Sequence, residues 1–203
     1  MPRFKFTTKT IASASLATAL VTGFTLLGFS SAQFYFNFGD TIILIVSALF
    51  GPVIGGIAGG LGSFLADFAV YPVTMFYTLF IKGVEGFLCG LFLSLVRKKV
   101  SVKKKKLFFS FLTMFLSVLW MALGYFLCQT LFYGSVKTAL VALPMDVVQG
   151  VASFTLASCL LYLFKMDALR EKLHLELHVQ RRVKKTETLI AETQTKKIEN
   201  KED

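Results

Sequence analysis

Residues 38–91 read FGDTIILIVSALFGPVIGGIAGGLGSFLADFAVYPVTMFYTLFIKGVEGFLCGL. This stretch is apolar enough for a bilayer, yet it carries Asp40, Asp67, Lys82 and Glu85 and a dense run of glycines. A charge at membrane depth costs about 2.5–3.5 kcal/mol on insertion scales, so these four mark a site or pathway rather than filler. Glycine at this density lets helices approach closely. The stretch predicts an all-α, polytopic membrane protein with a polar-lined interior.

The rest of the chain agrees. Of its 203 residues 55% are hydrophobic, with a mean hydropathy of +0.66, well above a soluble domain of this size. Between residues 10 and 96 the four groups named above are the only charged side chains. The net charge of +10 comes from the two ends and from one internal run, RKKVSVKKKK at 97–106. Basic residues flanking apolar spans point to anionic lipid and topology rather than to nucleic acid. Cys89, Cys128 and Cys159 all stand in apolar segments without paired spacing, and read as small packing residues.

Six transmembrane helices are predicted: Thr10–Phe29, Asp40–Phe50, Val53–Val70, Val73–Val96, Leu107–Phe132 and a last one from Pro144 to about Phe164. A signal peptide resembles the first span, but that run is long for one and five more spans follow. The second span is short, about 16 Å at 1.5 Å per residue against a hydrocarbon core of about 30 Å. It either begins earlier, within 34–38, or is shielded by its neighbours. Gly51-Pro52 and Tyr71-Pro72 break the chain between spans. A loop over Tyr133–Leu143 is expected before Pro144, which suits the first turn of the last helix. With both termini cytoplasmic, the loops on the opposite side hold one basic residue, Lys137. Residues 1–9 form a cytoplasmic arm, 10–165 the membrane domain, and 166–203 a charged cytoplasmic tail, partly helical or disordered. His174 and His178 in the tail are spaced i, i+4, but no third ligand accompanies them; a solvated face is the reading, and no metal site is predicted.

The sequence holds no G-x-x-x-x-G-K-[ST] run, so no P-loop nucleotide site is expected, and no catalytic residue or cofactor is predicted. Gly55-x-x-x-Gly59 and Gly56-x-x-x-Gly60 form the small-x-x-x-small pattern of close helix packing. Lys82 and Glu85, one helical step apart, read as an internal ion pair, as a ligand-facing pair, or as both. Asp146 reads as a helix-start carboxylate favoured by the helix dipole, or with Gln149 as an acid and amide that read a nitrogen heterocycle. The aromatic run Gln33-Phe34-Tyr35-Phe36-Asn37-Phe38 reads as an interfacial belt or as a lid over a flat ligand. Trp120, Tyr125 and Gln129 are weaker candidates. In the first span Ser13, Ser15, Ala17 and Ala19 form overlapping small-x-x-x-small pairs, a face for another helix.

Phe38-Gly39-Asp40, Ala48-Leu49-Phe50-Gly51-Pro52, Gly59-Gly60-Leu61-Gly62-Ser63, Leu65-Ala66-Asp67, Tyr71-Pro72 and Ile81-Lys82-Gly83-x-Glu85-Gly86 follow one another in this order. As a block, over about residues 10–165, they resemble the membrane-embedded S component of energy-coupling-factor (ECF) vitamin transporters, in the riboflavin-type branch. The resemblance implies a multi-pass protein of the bacterial cell membrane that captures a vitamin or precursor outside. It would deliver the cargo inward with a transmembrane coupling protein and two cytoplasmic ATPases. Family members dock through Ala-x-x-x-Ala on the first helix; Ser13-x-x-x-Ala17 and Ser15-x-x-x-Ala19 are the nearest equivalents. The family's binding region would contain Asn37, Lys82, Glu85, Gln129, Asp146 and Gln149. Relatives often carry Asn near Asp146, and an Asp there favours a basic ring nitrogen or amine. That leans the cargo towards a pyridoxine-like or hydroxymethylpyrimidine-like molecule, with riboflavin as the other candidate. The alternatives from other classes are a stand-alone secondary carrier, for which no inverted repeat is visible, and a membrane-embedded enzyme. The enzyme would need clustered acids and histidines, and residues 1–165 hold no histidine.

Overall fold

Among the described residues six helices form, five of them with ends within four residues of the predicted spans. The computed structural model describes residues 8–31 and 34–163, with residues 29–31 and 34–36 described by their backbone alone. The tail at 166–203 with His174 and His178, most of the arm at 1–9, and Gln33 lie outside the described residues, as do the side chains of the aromatic run up to Phe36. The helices are α1 (Thr8–Leu26), α2 (Gly39–Phe50), α3 (Pro52–Val70), α4 (Met75–Lys99), α5 (Lys103–Tyr133) and α6 (Val136–Leu163). Between α1 and α2 a small antiparallel hairpin, β1 (Phe29–Ser31) and β2 (Phe34–Phe36), pairs Phe29 with Phe36 and Ser31 with Phe34. This hairpin is the one addition to the all-α expectation.

Helices α3, α4, α5 and α6 are each long and apolar enough to cross a membrane. Helix α2 has 12 residues and reaches about 18 Å at 1.5 Å per residue. It does not start earlier than predicted by more than a residue; it is shielded, with eight of its residues buried. Its early end is satisfied from a neighbour, since Arg97 Nη1 donates to the Ala48 carbonyl at 2.8 Å. An unpaired helix-end carbonyl inside the bundle would otherwise cost several kcal/mol in hydrocarbon, on the order given for backbone groups there. Gly51 follows at φ 87°, a left-handed conformation that glycine takes without strain, and Pro52 opens α3 at its first turn.

The glycines predicted to pack do so against one another. A Cβ on Gly86 would strike the Gly55 carbonyl, and one on Gly60 would stand 3.2 Å from the Gly83 Cα. A Cβ on Gly90 would come within 2.6 Å of the Gly51–Pro52 peptide. So α3 and α4 touch backbone to backbone. Around this seam lie two apolar clusters. Ala17, Val21, Ile43 and Ala58 join α1, α2 and α3; Leu44, Cys89, Met114, Val118 and Ala157 join α2, α4, α5 and α6. Cys89 is buried as a packing residue, Cys128 is half-buried, and Cys159 is exposed.

Two expectations are corrected. The basic run is not a ten-residue loop: α4 continues to Lys99 and α5 begins at Lys103, leaving 100–102 as the turn. Lysine and arginine are good helix formers, and those at the end of α4 also suit the helix dipole. The second correction concerns Pro144. Helix α6 begins at Val136, so Pro144 lies inside it and the segment 136–143 is helical. Proline is tolerated in the interior of membrane helices, which removes the reason for reading it as a helix start. Asp146 therefore stands in mid-helix, and its reading as a cap on the helix dipole falls away.

Candidate functional site

A cavity of about 740 Å³ opens among the ends of the helices. Its lining includes the buried Thr25 near the end of α1 and the exposed Val70 at the end of α3, Tyr133 at the end of α5 and Lys137 at the start of α6. The basic turn joins the opposite ends of α4 and α5. One wall descends through Thr74, just before α4, and then Thr78 and Lys82 of α4, and another through Thr138, Ala142, Asp146 and Gln149 of α6. The spacing of three or four puts each set on one helix face.

At the floor lies a connected polar network. Lys82 is ion-paired with Asp40 of α2 and stands 3.6 Å from Glu85. Gln149 Nε2 donates to the second oxygen of Asp40 at 2.7 Å, and Gln149 Oε1 accepts the Asn37 backbone N–H at 3.0 Å. The Asn37 side-chain oxygen accepts the Gly39 N–H at 2.8 Å. These bonds tie the segment after the hairpin to α2, α4 and α6. The Lys82 ammonium also lies 5.3 Å from the centre of the Tyr125 ring, and Tyr125 donates to Thr78 Oγ1 at 3.3 Å. A buried lysine needs such company, because an unpaired charge inside a low-dielectric interior is expensive.

Of the residues predicted for the site, Asn37, Lys82, Gln129, Asp146 and Gln149 line the cavity. Glu85 does not; it is wholly buried behind Lys82. The ion-pair and the ligand-facing readings of Lys82 both describe its position, but its closest partner is Asp40 rather than Glu85. Both hydrogen-bonding ends of Gln149 are engaged within the protein. Asp146 differs, since its Oδ2 is buried and has no hydrogen-bond partner among the described residues.

Asp40 and Asp67 were visible as intramembrane charges but not as parts of the site. Asp40 is 42 residues from Lys82 and 109 from Gln149, beyond any helical period. One signal was available: three carboxylates accompany the single lysine between residues 10 and 96, so Lys82 had more than one candidate partner. Asp67 lines the upper cavity and accepts the Thr74 hydroxyl at 2.7 Å. Tyr125, a weaker candidate in the sequence, lines the cavity as well, and Trp120 Nε1 donates to the Ile81 carbonyl at 3.3 Å. Among the described residues no group of acids, histidines and cysteines is arranged to hold a metal ion.

The small-residue face of α1 divides in two. Ala17 is 2% exposed and belongs to the chain's own core, and Ser13 is half-buried, whereas Ser15 and Ala19 are exposed.

Comparison with known proteins places this architecture. The family described as "ECF-type riboflavin transporter, S component" matches residues 5–166. A Pyrococcus woesei protein, called "Uncharacterized protein in gap 3'region", is 37% identical over 135 residues, covering 66% of this chain and 85% of its own length. The "Thiamine precursor transporter HmpT" of Lactococcus lactis subsp. cremoris (strain MG1363) is 34% identical over 122 residues, 60% of this chain and 64% of that protein. The chain thus spans just under two thirds of that second relative. A solved structure described as "Structure and mechanism of the S component of a bacterial ECF transporter" superposes with a TM-score of 0.57 at 19% identity, covering 79% of this chain and 97% of the other, a likeness of fold.

Proposed function

The chain belongs to the family of S components of ECF-type riboflavin transporters, and from that premise we propose that it captures a small basic heterocycle, pyridoxine-like or aminopyrimidine-like, in the cavity beside Asp146. It is a membrane-embedded substrate-binding subunit of the vitamin-transporter type, a transporter component rather than an enzyme. The observation that carries the cargo reading is Asp146 Oδ2, a buried carboxylate oxygen on the cavity wall without a partner among the described residues. A basic ring nitrogen or an exocyclic amine would supply the missing donor. Lys82 is held by Asp40 and Glu85, and Asp67 accepts the Thr74 hydroxyl, so of the two described acids that line the cavity Asp146 is the one with a buried oxygen lacking a partner among the described residues. Gln149 orients the floor rather than reading the ring. The relative named as a thiamine precursor transporter supports this class of cargo.

Riboflavin is the second reading. The family description and a cavity near the middle of the roughly 300–1,000 Å³ range of ligand pockets favour it. Equilibrium titration of the purified protein with pyridoxine, a hydroxymethyl aminopyrimidine and riboflavin separates the two. A charge-assisted hydrogen bond is worth about 1.5–3 kcal/mol, so Asp146→Asn should weaken a basic cargo about ten- to a hundredfold. Tight riboflavin binding that ignores Asp146→Asn selects the second reading and sinks the first.

Transport would require a coupling protein and two ATPases, since the chain has no P-loop. Their docking face on α1 would be Ser15 and Ala19, the exposed pair, rather than Ser13 and Ala17. Both termini and the basic turn would lie in the cytoplasm, with the cavity facing outward. Cysteines placed at Lys103–Lys106 should resist labelling from outside intact cells; their modification would reverse this orientation.

A further inference from the structure

Behind the cavity lies a carboxyl group that the cargo reading does not use. Glu85 is wholly buried, and it lines neither the central cavity nor the shallow apolar groove over Gly56, Gly60 and Gly83. The next residue, Gly86, is pressed against the Gly55 carbonyl, so the packing beside it is tight.

The charges at this depth do not balance. Asp40 and Glu85 are two acids, and Lys82 is the one base among the buried described residues. Asp40 is fully served. Its Oδ1 is ion-paired with Lys82, and its Oδ2 accepts the Gln149 amide at 2.7 Å. Glu85 is not. Its Oε2 stands 3.6 Å from the Lys82 ammonium, beyond hydrogen-bond length, and among the described residues neither of its oxygens has a hydrogen-bond partner. The next cation along α4, Arg97, is twelve residues on, about 18 Å at 1.5 Å per residue. The titratable groups that act on Glu85 are Asp40 from α2, whose charge opposes a second anion, and Lys82 and the Cys89 thiol on α4. From α5 come the Tyr125 ring beside Lys82 and the apolar Met114 and Val118 beside Cys89, and from α6 Ala157. A buried carboxylate with no donor and a shared counter-ion has lost its hydration for little return, and such a group takes up a proton instead.

We propose that Glu85 is a proton-binding site: in the folded protein it holds one proton as a neutral carboxylic acid, so that the floor is the Asp40–Lys82 ion pair with an uncharged third member. This stands whichever cargo is bound. Its consequence is a floor without net charge, which leaves selection by charge to the cavity wall.

Infrared spectroscopy separates the carbonyl stretch of a carboxylic acid from the bands of a carboxylate. The test uses the full chain at about pH 7 in a detergent without ester groups. The parent should show an acid carbonyl band that shifts when the glutamate side-chain carboxyls carry carbon-13. The other six glutamates stand at 171–202 in the charged tail, and an ordinary glutamate is ionised at that pH. Glu85→Gln, close in shape to the neutral acid, should lose the band and melt with the parent. Asp40→Asn should lose it too, although Glu85 is still present, because one acid and one base then pair. A parent with no glutamate-shifted band overturns the proposal, and so does a band that survives in Glu85→Gln or in Asp40→Asn. Should either variant fail to fold, the labelled parent decides alone.

Discussion

The two sides of the helix bundle are packed in different ways. On one side α3 lies on α4 with glycine against glycine, and a single added Cβ at Gly86 meets backbone. On the other side α5 and α6 are held apart by rings, with Phe111 and Phe115 meeting Phe154 edge-on at 6.4 and 5.8 Å. Only Ala139, Gln149, Gly150, Ser153 and Ala157 of α6 are buried. The buried charges Asp40, Lys82 and Glu85 belong to α2 and α4, beside the glycine seam; Asp146 and Gln149 belong to α6. A backbone seam has no rotamer through which to adjust, whereas a ring-spaced contact does. The comparison teaches a division of labour, with a rigid glycine seam beside the buried charges on one side and a more adjustable, ring-spaced contact on the other.

The strongest way to break this contrast is at the floor. Lys82→Met strands Asp40 and Glu85 in the interior, and removing one partner of a buried pair costs about 3–5 kcal/mol. We expect that variant to lose yield and thermal stability, and binding with them, while Asp146→Asn melts with the parent. A Lys82→Met protein as stable as the parent would show that the ion pairs are not what holds α2, α4 and α6 together.

A smaller effect tests the packing itself. Gly86→Ala should destabilise by about 1–3 kcal/mol, the usual cost of overpacking, since its Cβ would meet the Gly55 carbonyl. Gly150→Ala on α6 should stay within about 1 kcal/mol. Its Cβ would stand 3.3 Å from a Val118 side-chain carbon, and alanine regains roughly 0.8–1 kcal/mol of helix propensity over glycine. Chemical denaturation of both variants checks the pair, and equal losses would erase the distinction between the two sides.

The smallest effect on stability is expected at the exposed Ala19 of α1, in contrast to Ala17. Ala17→Leu should destabilise, again by about 1–3 kcal/mol, because Ala17 sits in the core with Val21 and Ile43. Ala19→Leu should change stability by less than about 0.5 kcal/mol, as an exposed substitution does. It should nevertheless block co-purification with the coupling protein. If Ala19→Leu assembles normally, the exposed small pair is not the docking face.

Much of this was legible in the chain. The run at 38–91 marked apolar helices, glycine packing and intramembrane charges, and five of six predicted site residues line one cavity. Local punctuation placed α2 and α3 to within a residue, because Gly51-Pro52 acts on its own neighbours. Pro144 misled for a related reason: a proline that opens one helix also occurs inside another, and neighbouring residues do not say which.

What the sequence by itself determined is therefore short-range or compositional: six apolar helices, four charges within the first four spans, a basic run between the fourth and fifth, and no nucleotide loop. Tertiary structure alone decided that Lys82 pairs with Asp40 across 42 residues, that Gln149 closes onto Asp40 across 109, and that Glu85 stays behind the wall. It also decided that Ala17 is core while Ala19 is surface. The physical reason is the solvent. In water an apolar stripe tells inside from outside, but lipid is as apolar as a helix interior, so periodicity no longer reports which face is buried. Only the approach of other helices separates two alanines two residues apart, or chooses among three carboxylates the ones that hold a single lysine.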